Sequence, residues 1–144
     1  MEIPFNLLIL KVFHAQKNRV RPLMAEIGLS PGQPKVLAFL SIHGNCLQKE
    51  LAAACDIEPT TISKMLNNLE ENGLIRRSAL AGDKRAAVIG LTDKGYALVE
   101  QEILPRYHSV NTVSLTDFTP DEKRRFEEYL RHMYANLTGT PLDF

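Results

Sequence analysis

The 144-residue sequence predicts a mainly α-helical fold that carries one small β-hairpin. Three observations lead there. Apolar residues recur at helical spacing in several long stretches punctuated by Gly, Ser-Pro and Thr-Pro. After Gly73 that period gives way to two short strand-like runs, Leu74–Ser78 and Arg85–Leu91, on either side of turn chemistry. The composition, 44% hydrophobic and 24% charged, is that of an ordinary globular domain and the length is one domain's worth.

The elements follow in order. A first helix is predicted from about Pro4 to Ile27, with Phe5, Leu8, Ile9, Val12, Phe13, Val20, Leu23, Met24 and Ile27 at helical spacing. Leu7 and Leu10 widen its stripe beyond one face, as expected of a helix that packs against more than its own domain. Pro22 predicts a bend and Gly28 a stop. Ser30-Pro31 reads as N-cap and first turn of a second helix carrying Val36, Leu37, Leu40 and Ile42. A short third helix spans about Leu47–Ala54, and a fourth about Pro59–Asn72, its inner face Ile62, Met65, Leu66 and Leu69. The hairpin comes next, with Gly82-Asp83 at the core of its turn. Thr92 caps a fifth helix in which Pro105 predicts a kink. Thr119-Pro120-Asp121-Glu122 is a capping box that opens a last helix, with Phe126, Tyr129, Leu130, Met133, Tyr134 and Leu137 on one face.

No apolar run approaches the ~20 residues of a membrane span. The start, Met1-Glu2-Ile3-Pro4, lacks a secretory pattern, so a cytoplasmic location and no membrane partner are expected. Formal net charge is zero, with 17 basic and 17 acidic residues, but the distribution is uneven. Residues 1–46 carry a net +3 and residues 96–144 a net −3. Arg76, Arg77, Lys84 and Arg85 face only Asp83 within residues 76–85. A local basic ridge of this kind suits phosphate contact.

Two short helices, a tight connection, a third helix and a basic hairpin are the parts of a winged helix-turn-helix. The outer residues of the fourth helix, Thr60, Thr61, Ser63, Lys64, Asn67 and Asn68, are short hydrogen-bonding groups plus one cation. Such groups can bond base edges in a major groove about 12 Å wide, Asn taking adenine at two atoms. A solvated helix surface would carry the same residue types. Arg85, just after the Gly-Asp turn, is placed to enter a narrow minor groove, with Asp83 steadying its guanidinium. Arg76, Arg77 and Lys84 are the expected phosphate contacts. A local salt bridge on a solvated hairpin is the plain alternative.

Residues 29–95 resemble the multiple antibiotic resistance regulator (MarR) family. Glu50-Leu51-Ala52, Ile57, Thr61, Ser63, Leu66, Leu69-Glu70 and Gly73-Leu74-Ile75-Arg76-Arg77 match its helix-turn-helix. Asp83-Lys84-Arg85 followed by Leu91-Thr92-Asp93-Lys94-Gly95 matches its wing signature, and Gly28-Leu29-Ser30 with Gln33 the entry to its second helix. The resemblance implies one domain over 1–144, with a winged helix-turn-helix lobe at 29–95 and a helical dimerisation region at 1–28 and 96–138. It further implies a homodimer that binds a pseudo-palindromic double-stranded operator, usually as a repressor. Many members release DNA when a small phenolic or lipophilic anion binds between dimer base and lobe. Cys55 stands where the family more often has Leu, and Lys64 where Arg is common.

Phe13, His14, Phe39, His43 and Tyr107 are candidates for an effector pocket, though such residues are more often core. His43 and His108, with Glu26 or Glu102, form a weak metal candidate without ligand spacing, so neither metal nor cofactor is expected. Cys46 and Cys55 read as inert thiols. No phosphate loop, nucleophile elbow or catalytic acid pair is present, so no enzyme is expected. A winged-helix protein–protein module that lacks DNA binding is the rival from another class.

Overall fold

The structure is a computed structural model that describes residues 1–80 and 83–143, and of residues 79, 80 and 83–85 the backbone alone. The elements are α1 (Phe5–Ala25), α2 (Gln33–His43), β1 (Cys46–Leu47), α3 (Gln48–Ala54), α4 (Pro59–Glu71), β2 (Ile75–Leu80), β3 (Asp83–Leu91), α5 (Asp93–Leu98), a π-helical turn (Val99–Ile103), α6 (Leu104–Ser114) and α7 (Pro120–Thr138). The chain divides into two compact units, residues 1–110 and residues 111–144.

Three helices of the first unit stop in the same way. A residue one or two positions after the cap takes positive φ, and two amides turn back onto the last carbonyls. At the end of α1, Gly28 (φ 77°) and Leu29 donate to Ala25 and Met24 at 3.0 Å each. At the end of α4, Gly73 (φ 73°) and Leu74 donate to Glu70 and Leu69 at 2.9 and 3.0 Å. At the end of α3 an aspartate takes the strained position, Asp56 (φ 53°), while Ile57 bonds Ala52 at 2.9 Å. Each stop folds an apolar residue back over the helix, and Leu29 and Leu74 join the core in this way.

That core gathers Val36, Leu37 and Leu40 of α2, Leu51 of α3, Ile62, Leu66 and Leu69 of α4, Ile75 and Ile89 of the hairpin, and Val99 and Ile103 of the π-helical turn. Each is under 3% exposed, and burying an aliphatic side chain of this size contributes about 1.5–3 kcal/mol. Ile62, Leu66 and Leu69 follow the three-four spacing of one helical stripe, which leaves the opposite side of α4 to polar residues.

The structure departs from the sequence-based expectations at four places. Ser30-Pro31 does not cap α2: Gly32 is the N-cap, and Ser30 begins a turn in which Gln33 Oε1 accepts from the Ser30 amide at 2.8 Å. No side chain caps α2, and the Gln33 side chain instead holds the turn that precedes it. Helix α3 begins at Gln48 rather than Leu47, because Cys46 and Leu47 pair with Ile89 and Val88 as a third, edge strand. The antiparallel sheet therefore has the order β1-β3-β2. The hairpin strands also run further than the sequence suggests, with Leu80 opposite Asp83, so the backbone of Asp83 and Lys84 belongs to β3. The turn residues Ala81 and Gly82 lie outside the described residues. Finally, the irregularity expected at Pro105 is a π-helical turn just before it, where Leu104 N–H bonds the Val99 carbonyl. Proline has no amide to donate, and a wider turn accommodates its ring without breaking the rod.

The end of α1 is pinned from α6. Arg106 Nε donates to the Leu23 carbonyl at 3.0 Å, and its guanidinium also bonds Glu102 and pairs with Glu26 at 3.7 Å. Helix α1 otherwise buries only Met24, and Phe5, Leu7, Leu8, Leu10, Val12 and Phe13 are each at least 46% exposed. In the second unit, the capping box at Thr119 forms as predicted, with Thr119 Oγ1 accepting from Glu122 N and Glu122 from Thr119 N. No residue of α7 is buried, and Phe126, Tyr129, Leu130, Tyr134 and Leu137 are exposed along it.

Both cysteines are buried. Burial pushes the Cys55 thiol up to about 11 against the downward pull of Lys35, and burial with Glu50 raises Cys46. Such a shift leaves roughly one Cys55 thiol in a thousand ionised at pH 8. We expect thiol-specific reagents to label the native protein at least about a hundredfold more slowly than the urea-unfolded chain at that pH. Rapid native labelling would show that a cysteine is a reactive sensor.

Gly95 allows a second test. A Cβ there would lie 2.2 Å from the Leu74 carbonyl oxygen. Alanine improves helix propensity by about 0.5–1 kcal/mol, but overlap with backbone costs about 1–3 kcal/mol. Gly95→Ala should therefore lower the melting temperature, and a rise would mean that the α5–β2 junction is looser than described.

Candidate nucleic-acid interface

Helix α4 turns its polar side outward beside the hairpin. Thr60, Thr61, Lys64, Asn67 and Asn68 are exposed and Ser63 is half-buried. These residues share a helix face but not a state. Thr60, Thr61 and Lys64 make no side-chain hydrogen bond or ion pair with any described residue. Ser63 is engaged on both sides: its hydroxyl donates to the Pro59 carbonyl at 3.1 Å and accepts from Gln48 Nε2 at 2.9 Å. It therefore braces α3 against α4. Asn68 Oδ1 accepts from Gln33 Nε2 at 2.9 Å and from Asn72 Nδ2 at 3.2 Å. Asn67 Oδ1 accepts from the guanidinium of Arg77.

The hairpin's basic residues separate in the same manner. Side chains on a strand alternate faces, so neighbouring arginines cannot do the same job. Arg77, on the face of Ile75, turns towards α4 and pairs with Glu70 at 3.1 Å. Arg76, on the other face, is exposed. Of the two expected phosphate contacts, Arg77 is thus paired with Glu70 and braces β2 against α4, while Arg76 meets no described partner. The side chains of Asp83, Lys84 and Arg85 lie outside the described residues.

The hairpin's return is locked onto the end of α4. Thr92 Oγ1 accepts from Gly95 N at 3.0 Å and donates to the Gly73 carbonyl at 2.6 Å. Lys94 Nζ donates to the Asn72 carbonyl at 2.7 Å, and Thr92 N to the Leu74 carbonyl at 3.1 Å. The stretch Leu91–Gly95 thus positions the hairpin.

A cleft of about 580 Å³ opens between α1, the turn before α2, the start of α4 and α6. Its walls include Phe13, Val20, Met24, Met65 and Tyr107, with the cations Lys17, Arg21 and Lys35 and the anions Asp56 and Glu58. Lys17 Nζ stands 5.1 Å from the Phe13 ring centroid. Burial, and secondarily Cys55, raise the Tyr107 hydroxyl, so it remains a neutral donor at neutral pH. Of the five candidate effector residues, Phe13 and Tyr107 line this cleft. His14 stays exposed beside Phe13, while Phe39 and His43 stack on each other with centroids 4.9 Å apart, and none of these three is in its wall. Among the described residues no group of three His, Cys, Asp or Glu could hold a metal, and Glu26 and Glu102, the expected partners of His43 and His108, pair with Arg106 instead.

Sequence reasoning missed the residues that support α4: Gln48, Glu70 and Asn72, and the bond from Gln33 to Asn68. One signal was available for Gln33, a polar residue at the head of an apolar helix, and it is 5% exposed.

Comparison with known proteins gives a consistent picture. A profile described as "MarR family" matches residues 27–86. The transcriptional repressor YetL of Bacillus subtilis (strain 168) is 30% identical over 113 residues, 77% of this chain and 67% of YetL. Another curated relative is matched over only 59% of its own length. A MarR-family transcriptional regulator from Silicibacter pomeroyi superposes with TM-score 0.82 at 26% identity, covering 94% of this chain and 90% of that one. The S. aureus MepR–DNA complex superposes with TM-score 0.79 at 25% identity, covering 94% and 99%. Residues, fold and relatives agree, and this chain belongs to the MarR family of transcriptional regulators.

Proposed function

We propose that the protein is a cytoplasmic, homodimeric repressor that binds a pseudo-palindromic stretch of double-stranded DNA and is released by a small phenolic or lipophilic anion. The observation that carries this reading is the exposed polar side of α4, held at a fixed angle beside the hairpin by Thr92, Lys94 and Arg77. A helix held in this way enters a major groove, while the hairpin reaches the neighbouring phosphates and minor groove. The solved MepR–DNA complex supports it by likeness. The apolar residues exposed along α1 and along α7 support a second copy of the chain as partner. Two-fold pairing would set the two α4 helices about 34 Å apart, one turn of B-form DNA.

In this reading Thr60, Thr61, Lys64, Asn67 and Asn68 face the groove. Lys64, Arg76 and Lys84 meet phosphates, and Arg85, steadied by Asp83, enters the minor groove. The cleft that holds Tyr107, Lys17, Arg21 and Lys35 supplies one phenolic donor and three cations to an anionic effector. One observation favours the rival protein–protein module: of the residues expected to read DNA, α4 offers Lys64 as its single cation, and Glu70 cancels Arg77.

Titrating DNA from upstream of the protein's own gene across a salt series separates the two. Counterion release predicts a slope of about −0.9 per phosphate contact in log affinity against log salt. We expect two chains per bound duplex, an Arg85→Ala loss of about 1–3 kcal/mol, and an Arg76→Ala slope shallower by about 1 per protomer. Arg77→Ala should weaken binding with the slope unchanged. No salt-sensitive binding at any concentration would favour the protein–protein module, and an unaltered affinity in Arg85→Ala would remove the wing assignment.

Salicylate serves as a probe of the cleft. It should weaken DNA binding by the wild type in fluorescence anisotropy and leave a Lys17→Glu/Arg21→Glu variant unresponsive. If both proteins keep the same DNA affinity with and without salicylate, the cleft is not an anion-responsive site.

A further inference from the structure

The hydrogen bonds that hold α4 also decide which end of each reading amide is free. An asparagine can take adenine at two atoms only if its oxygen accepts from N6 while its NH2 donates to N7. The oxygen of Asn68 is already used. Its orientation follows from backbone groups whose roles cannot be exchanged. The Ser30 amide can only donate, so the Gln33 atom that meets it at 2.8 Å is oxygen. The other branch of Gln33 is therefore NH2, and the Asn68 atom it meets at 2.9 Å must be oxygen. Independently, the Asn68 carbonyl can only accept, so the Asn72 atom 2.8 Å away is NH2, and that group also reaches the same Asn68 oxygen. Both lone-pair positions of Asn68 Oδ1 are then occupied.

Asn67 is polarised by a different neighbour. Arg77 has donors only, so the Asn67 atom it meets is again oxygen. Glu70 keeps Arg77 in place at 3.1 Å. Ser63 has committed its proton to Pro59 and an acceptor site to Gln48. The Nδ2 groups of Asn67 and Asn68 donate to no described residue. Asn67 Oδ1 keeps one lone pair, so the groups left for a partner on this part of the helix are the two Nδ2 groups, the Lys64 ammonium and that single acceptor position.

We propose, on the DNA-binding reading above, that the Lys64–Asn67–Asn68 face of α4 is a donor-rich reader that selects guanine, with thymine second, on the strand it contacts. Guanine presents two major-groove acceptors, N7 and O6, and thymine one, O4. Adenine presents N7 beside an N6 amino group, and cytosine presents an amino group alone. A face of donors is satisfied by guanine, meets adenine at one atom, and opposes cytosine donor to donor. Asn67 and Asn68 are thus specificity residues, and Gln33, Asn72 and Arg77 are positioning residues that act through them.

Selection from a duplex library with a randomised core, using the full-length chain, tests this. The positions read by the two amides are those whose preference relaxes in Asn67→Ala and Asn68→Ala. Wild type should enrich guanine there, with thymine next and cytosine least, by roughly 5- to 150-fold. Asn67→Asp replaces the donor with an acceptor while keeping the partner of Arg77, and should move the Asn67 position towards cytosine or adenine. Arg77→Met releases the Asn67 oxygen and should let adenine rise at that position alone, with a melting curve confirming that the variant is folded. Asn67→Asp gives the answer if Arg77→Met does not fold. Adenine at the wild-type positions, an unchanged preference in Asn67→Asp, or DNA retained with no position relaxed by either alanine variant would each overturn the donor-rich face while leaving DNA binding intact. No DNA retained at any salt would overturn the DNA-binding reading itself.

Discussion

The arrangement of this protein depends on how the C-terminal end of α4 is closed. The last carbonyls of a helix have no partners within it and must find others. Here Gly73 and Leu74 turn back onto Glu70 and Leu69, Lys94 takes the Asn72 carbonyl, and the Thr92 hydroxyl takes that of Gly73. Two of these donors belong to the residues that follow the hairpin. The end of α4 and the end of β3 are therefore one hydrogen-bonded junction, and Gly95 lets the start of α5 press against Leu74 to complete it. From the other side, Arg77 reaches across from β2 to Glu70. A helix fastened to its hairpin at both ends of that contact moves with it as one body, which is what fixed-angle entry into adjacent grooves requires.

The same economy governs the polar side of α4. Six residues carry hydrogen-bonding or charged groups there, yet Ser63, Asn67 and Asn68 are bonded inward to Gln48, Arg77, Gln33 and Asn72. These bonds use the Asn68 oxygen fully and the Asn67 and Ser63 oxygens in part, and so shift this side of the helix towards donors. The loss of adaptability is a gain in discrimination, since an amide free to turn over can match more than one base pair and an amide held at its oxygen cannot.

Most of the architecture was legible because it follows from period and punctuation. Ile62, Leu66 and Leu69 are spaced as a helix stripe, Gly28 and Gly73 stop helices where glycine tolerates positive φ, and Thr119-Pro120-Asp121-Glu122 forms the capping box its residues prescribe. What escaped has no local signal. Cys46 and Leu47 are a strand only because β3 has an edge to pair with, and two residues cannot show a period of two. Ser30 has the right side chain for a cap, but α2 starts after Gly32, and Ser30 lies in a turn where its own amide donates to Gln33. At the candidate interface the residue types were visible and their commitments were not, because Asn68 meets a partner 35 positions away and Arg77 one across a helix-to-strand turn. The cleft was only partly anticipated, since much of its wall comes from the turns at Leu29–Gly32 and Asp56–Glu58, where no periodic stripe exists.

Charge explains why orientation carries so much weight here. The chain is neutral overall, and Glu70 pairs with Arg77 at 3.1 Å. Phosphate contacts supply affinity without regard to sequence and weaken steeply with salt. On the proposed reading, a protein that ties up a cation internally has less background affinity to carry a poorly matched site. Its discrimination must then come from base contacts, each worth about 1–3 kcal/mol. In such a protein the hydrogen bonds from Gln33, Asn72 and Arg77 to the reading amides are not incidental surface contacts. On the proposed reading they hold two otherwise flexible side chains with their donors outward, and so add specificity where electrostatics alone would leave none.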